Sequence, residues 1–301
     1  MAFLELANDY TVQVVVLGSA GIGGVSGALG CFAYLRRQSL MGDVVSHSSL
    51  LGIVLAFWLA FLITGESSRS LWVLMPGALL AGLASLLLSR FITRRTALKE
   101  DAGLGVMLAI FFGSGMMFLR YLQRSQPRVG GQSGLDQYLF GMAAAMTKAD
   151  LWMIGVLGGL ALFAMTLTWF RLKLITFDPQ YAAGLGLRLG LYEVVLLSLL
   201  VIGIVIGLQI AGVVLMVSLL IAPASAARQW TSSLGSMVML AAVIGAVTAA
   251  SGAFISALVG SLPTGPVIVL LVTLVFLVSL IAAPGRGLIF RYRERRRVRV
   301  A

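Results

Sequence analysis

The sequence predicts an all-α fold, a polytopic transmembrane helical bundle of about eight or nine spans. Three observations carry this prediction. Of 301 residues, 59% are hydrophobic and only 11% charged, where soluble domains carry roughly 25% charged residues; too few charges remain to clothe a water-facing surface. The apolar residues fall into runs that match the roughly 20-residue helix needed to cross hydrocarbon. Those runs also lack the amphipathic stripes a soluble helical protein would show.

In chain order, the crossing segments are 11–35, 39–64, 71–89, 102–119, 150–170, 192–208, 210–227, 234–258 and 264–283. The run from Tyr192 to Ala227 is too long for one ordinary crossing, so it is divided where Gly207, Gln209 and Gly212 interrupt it. The stretch Leu135–Ala145 is apolar but about half the length a crossing needs, and reads as a re-entrant or interfacial helix. The chain is thus one transmembrane domain, 1–301, with a membrane bundle over 10–285 and a basic tail over 286–301. The first fifteen residues, which include Glu5 and Asp9, lack the basic start of a cleaved signal peptide. The single cysteine, Cys31, permits no disulfide within the chain.

The net charge of +11 would suggest nucleic acid if it were spread over a surface. It is instead gathered in short clusters between apolar runs and in the tail at Arg291, Arg293, Arg295, Arg296, Arg297 and Arg299. That is the pattern of a flank lying against membrane lipid, with no nucleic-acid partner implied. Orientation follows from the same residues. With the N-terminus outside, only Arg69, Arg120, Arg124, Arg128 and Lys148 of the 22 Lys and Arg residues fall on the outer side, and the C-terminus is cytoplasmic. Counting Leu135–Ala145 as a full crossing would place the basic tail outside. Among 35 glycines, the pairs Gly23/Gly27 and Gly155/Gly159 have the four-residue spacing that lets helices approach closely, within one bundle or at a dimer seam.

Between Arg37 and Glu66 the only ionisable side chains are Asp43 and His47, and His47 is the only histidine in the protein. Four residues apart, they share one helix face about one turn from each other. An ionisable group at membrane depth is costly unless a cavity, partner or ligand meets it. A carboxylate oxygen with an imidazole nitrogen suits a divalent first-row metal; an Asp–His hydrogen bond that fixes packing, or a proton relay, uses the same residues. Two ligands do not close a metal site. Backbone, water or methionine groups, or a second copy's own pair, would have to complete it.

After the fifth crossing, Asp178-Pro179 is a helix start, an N-cap followed by proline at the first helical position. Gly184 or Gly186 then ends a very short helix, which either turns the chain or docks a partner. The chain has no Gly-Lys pair and hence no phosphate-binding P-loop. It also lacks Gly-x-Ser-x-Gly and His-Glu-x-x-His, so the sequence is that of a transporter and not an enzyme. Any ATP is hydrolysed by a partner.

The run Arg36-Arg37-Gln-Ser-Leu-Met-Gly-Asp43-Val-Val-Ser-His47-Ser-Ser-Leu-Leu-Gly52 resembles the signature of the metal-ion ABC permease family, which serves importers of manganese, zinc and chelated iron. Similar stretches follow in the same order: Lys99–Gly105, Gly134–Gly141, Phe177–Ala182 with Gly186, Ile221–Ala226 and Leu262–Pro266. The resemblance implies a bacterial inner-membrane permease for Mn²⁺, Zn²⁺ or Fe²⁺, the ion being substrate and no cofactor being needed. It implies a second permease copy or paralogue, cytoplasmic ABC ATPase subunits and an extracytoplasmic metal-binding protein. Asp43 and His47 become ligands in the translocation path, and the loop carrying Asp178, Pro179, Ala182 and Gly186 becomes the ATPase-coupling element. Val44 and Val45 depart from the smaller residues often found there. A permease for cobalamin or siderophores would leave Asp43 and His47 unexplained. A proton-coupled secondary transporter would need no ATPase, and the sequence offers no inverted repeat in its favour.

Overall fold

The computed structural model describes residues 9–38, 40–65, 71–124, 146–259, 262–284, 287 and 290. Among the described residues ten helices follow one another: α1 Tyr10–Leu35, α2 Leu40–Thr64, α3 Leu71–Arg95, α4 Glu100–Arg124, α5 Lys148–Leu167, α6 Trp169–Phe177, α7 Pro179–Gly184, α8 Leu189–Trp230, α9 Leu234–Val259 and α10 Thr264–Ala282. No strand occurs among the described residues. Among the described residues, eight helical stretches are long and apolar enough to cross a membrane, and the one within α8 is Leu189–Leu208. Large apolar side chains such as Leu80, Leu270 and Met239 lie exposed on the helices, as hydrocarbon-facing positions do. The predicted re-entrant segment Leu135–Ala145 lies outside the described residues.

Helix ends are set by caps. Asp9 accepts a bond from the Thr11 amide at the start of α1. Thr147 and Asp150 bond each other's groups reciprocally at the start of α5, a capping box. α3 and α4 run several residues past the predicted limits, because Arg94 and Arg95, and Arg120 and Arg124, continue the helix after the apolar run stops. The 42-residue α8 is interrupted at Gly212, whose φ of 70° and ψ of 172° are non-helical. Glycine alone adopts this conformation without a Cβ penalty, and it falls at one of the three residues where the sequence divides the run.

The chain forms two compact units. In the first, α1 packs along α9, and α9 also meets α10. A Cβ on Gly23 would collide with the Gly245 carbonyl, one on Gly245 with the Gly23 carbonyl, and one on Gly27 with the Ala241 carbonyl. In the second unit α2 packs on α3 and α4, with the same reciprocal exclusion between Gly52 and Gly77. Gly23 and Gly27 therefore do what their spacing suggests. Gly155 and Gly159 make no such approach within the described chain: nothing lies within 4 Å of a Cβ built on either, and Gly158, between them, is the one pressed against Val25.

Candidate functional site

Asp43 and His47 both belong to the second unit, on the first two turns of α2. Asp43 is in the first helical turn, where the positive end of the helix dipole favours its negative charge without any ligand. The ring of His47 meets Phe112 of α4 edge-on, with centroids 4.7 Å apart and planes inclined 73°. Phe112 thus fixes the imidazole from a neighbouring helix, a role nothing in its apolar surroundings signals. The Nδ1 of His47 is buried and makes no hydrogen bond. The hydroxyls of Ser46 and Ser48, on either side of it, are also buried and unpartnered. A buried polar group left unsatisfied costs about 1–3 kcal/mol, so this stretch of α2 holds polar capacity that the described chain does not use. No group of three or more His, Cys, Asp or Glu side chains occurs among the described residues. Asp43 and His47 are thus joined by no third His, Cys, Asp or Glu in such a group among the described residues.

The second set of predicted residues forms α7. Asp178 caps it, its carboxylate accepting from the Tyr181 amide at 2.9 Å, and Pro179 opens it. At the far end the Leu187 amide bonds the Ala182 carbonyl and the Gly186 amide bonds the Ala183 carbonyl, with Gly186 at φ 75°. These two bonds around a left-handed residue make a Schellman stop. Gly186, and not Gly184, is the terminator. Ala182 is 0% exposed and so faces inward, where α7 packs back on α6. The outward surface is made by Phe177, Tyr181 and Leu185, each more than half exposed.

Two adjacent residues that the sequence reading passed over frame this loop. At the start of α8, Tyr192 lies under the Arg171 guanidinium of α6 at 5.4 Å. Its neighbour Glu193 pairs with Arg90 and, at 3.1 Å, with Arg94, both from the end of α3. The flanks of α7 are thus tied to each other and to α3. An acid following a tyrosine at a membrane edge, opposite an arginine cluster, was the available signal.

Residues 8–283 match the family described as "ABC 3 transport family". The chain belongs to that family. It is a multi-pass membrane protein of a transport system and not an enzyme. It is 42% identical over 297 residues to the zinc transport system membrane protein TroC of Treponema pallidum (strain Nichols), covering 99% of this chain and 97% of the other. It is 41% identical over 286 residues to the manganese transport system membrane protein MntC of Bacillus subtilis (strain 168), covering 95% of this chain and 64% of that one. Among solved structures, PsaBC from Streptococcus pneumoniae in complex with Fab matches with a TM-score of 0.82 and 28% identity, over 98% of this chain and 99% of the other.

Proposed function

We propose that this chain is the membrane-spanning permease subunit of a bacterial ABC importer for a divalent transition metal, Mn²⁺ or Zn²⁺, with Asp43 and His47 as transient ligands in the translocation path. The observation that carries the reading is the isolated Asp43–His47 pair on α2, with a buried imidazole nitrogen left unbonded. It occurs in a chain whose relatives are named for zinc and manganese transport. Open ligation suits transport, because an ion must leave as readily as it enters. The permease works as a dimer with a second copy or paralogue. Cytoplasmic ATPase subunits engage α7, and an extracytoplasmic metal-binding protein delivers the ion at the outer end of α4, where Arg120 and Arg124 supply positive charge for recognition. An ATP-independent carrier does not fit membership of an ABC family.

Metal uptake by vesicles containing the permease, its ATPase and its binding protein tests the assignment. Asp43→Asn keeps shape and hydrogen bonding but removes the charge that a divalent ion needs. Asp43→Asn and His47→Ala should each abolish uptake while insertion and ATPase assembly persist. Near-normal uptake by Asp43→Asn would sink the ligand assignment. Because metal binds only neutral imidazole, uptake by the unsubstituted protein should also fall on acidification.

A further inference from the structure

Hydroxyl groups within the apolar helices of this protein follow a regular habit. Ser49, Ser114, Ser198, Thr248 and Ser251 each donate to the carbonyl four residues back, which satisfies a hydroxyl where water is absent. Four buried serines, Ser19, Ser26, Ser46 and Ser48, break the habit, and of these Ser46 is the one on the face of Asp43, a single turn away. It is 0% exposed, and its Oγ bonds to nothing in the described chain.

Its position gives this meaning. Ser46 follows Asp43 by three residues, so both side chains lie on one face of α2, one turn apart. His47, four residues from Asp43, completes the face and carries the second unpartnered buried polar atom. Ser48 is also unpartnered, but five residues from Asp43 puts it about 140° around the helix, off that face. Two unsatisfied polar atoms within a turn of a half-buried carboxylate leave lone pairs that a further species can take up. A cation does this for both, since a hydroxyl oxygen and a neutral imidazole nitrogen each offer a lone pair.

We propose that the Ser46 hydroxyl is a ligand for the transported ion, completing an Asp43–Ser46–His47 face whose second hard oxygen favours Mn²⁺ over the softer Zn²⁺. The proposal rests on the metal-permease reading above and deepens it to selectivity. Oxygen donors suit Mn²⁺, whereas nitrogen and sulfur donors suit Zn²⁺. Removing the hydroxyl should therefore cost Mn²⁺ more than Zn²⁺, and a thiol should reverse the preference.

The test is uptake of radiolabelled manganese and zinc by vesicles containing the permease, its ATPase and one constant binding protein, so that the partner's own selectivity cancels between variants. Ser46→Ala should lower manganese uptake about tenfold, the effect of losing one bond to a charged species, and zinc uptake by less, so that the manganese-to-zinc ratio falls. Ser46→Cys, close to serine in volume, should lower it further. It should also give thiolate-to-metal charge-transfer absorption with Cd²⁺ in purified protein. The unsubstituted chain supplies the baseline, since its only cysteine, Cys31, is buried and bonded to the Gly27 and Met237 carbonyls. An unchanged ratio in both variants without the absorption band, alongside an inactive Asp43→Asn, overturns the role of Ser46 and leaves the metal site standing. An active Asp43→Asn overturns the reading beneath it.

Discussion

At the scale of single residues, the protein uses glycine in two physically different ways that spacing does not separate. Gly52 and Gly77 bring α2 and α3 together so closely that neither position has room for a methyl group. Small residues at such crossings supply the packing that holds helices together in lipid, where the hydrophobic effect contributes little. Gly155 has open space around it and pays only the helix-propensity cost of lacking a side chain. The same substitution should therefore have opposite signs. Gly52→Ala should destabilise by about 1–3 kcal/mol, as overpacking against backbone does. Gly155→Ala should be neutral or stabilising by up to about 1 kcal/mol. Thermal unfolding of the purified variants in detergent checks both; equal shifts would remove Gly52 from the helix contact. Asp43 and His47 were legible because an ionisable side chain amid apolar residues stands out in any window. Phe112 was not, because a phenylalanine amid apolar residues does not, and only the fold shows which one meets an imidazole.

At the scale of the element, α7 is six residues long, far below the length at which a helix is stable alone. It persists through its two stops and its inward anchor: the Asp178 cap, the Gly186 turn and Ala182. Its start and stop were readable because capping chemistry is local and needs no tertiary information. Which face it presents was not, since Ala182 and Tyr181 are adjacent and only packing on α6 turns one in and the other out. This sorts the residues proposed for coupling into two experimental classes. Ala182→Glu and Gly186→Val should unseat α7 and lower thermal stability together with transport-coupled ATPase activity. Tyr181→Ala and Leu185→Ser, on the exposed side, should reduce copurification with the ATPase several-fold while the melting temperature stays within about 2 °C, as surface changes do. If the exposed pair left assembly intact, docking would have to lie on another surface.

At the scale of the whole molecule, the side on which the tail lies depends on what α8 does. A straight helix of 42 residues would be about 63 Å long, twice the roughly 30 Å of the hydrocarbon core. One crossing would leave half of a strongly apolar helix in water. The break at Gly212 divides it into two pieces of near-crossing length, which favours two passages and a total of nine among the described residues. With nine, the N-terminus is outside and the tail inside. With eight, the termini share a side, and the arginines from 291 onward would have to join the outer face or force the whole chain to invert. Basic flanks favour the cytoplasmic side, and the tail holds the densest such cluster in the sequence. We therefore expect a reporter fused after Val300 to be cytoplasmic, and a cysteine placed at Thr264, just before α10, to be labelled by membrane-impermeant thiol reagents from outside the cell in a Cys31→Ser background. A cysteine at Ser233, in the short turn between α8 and α9, should be protected in intact cells and labelled only after permeabilisation. Labelling of the Ser233 position from outside would make α8 a single passage. It would also move every later loop to the opposite side of the membrane.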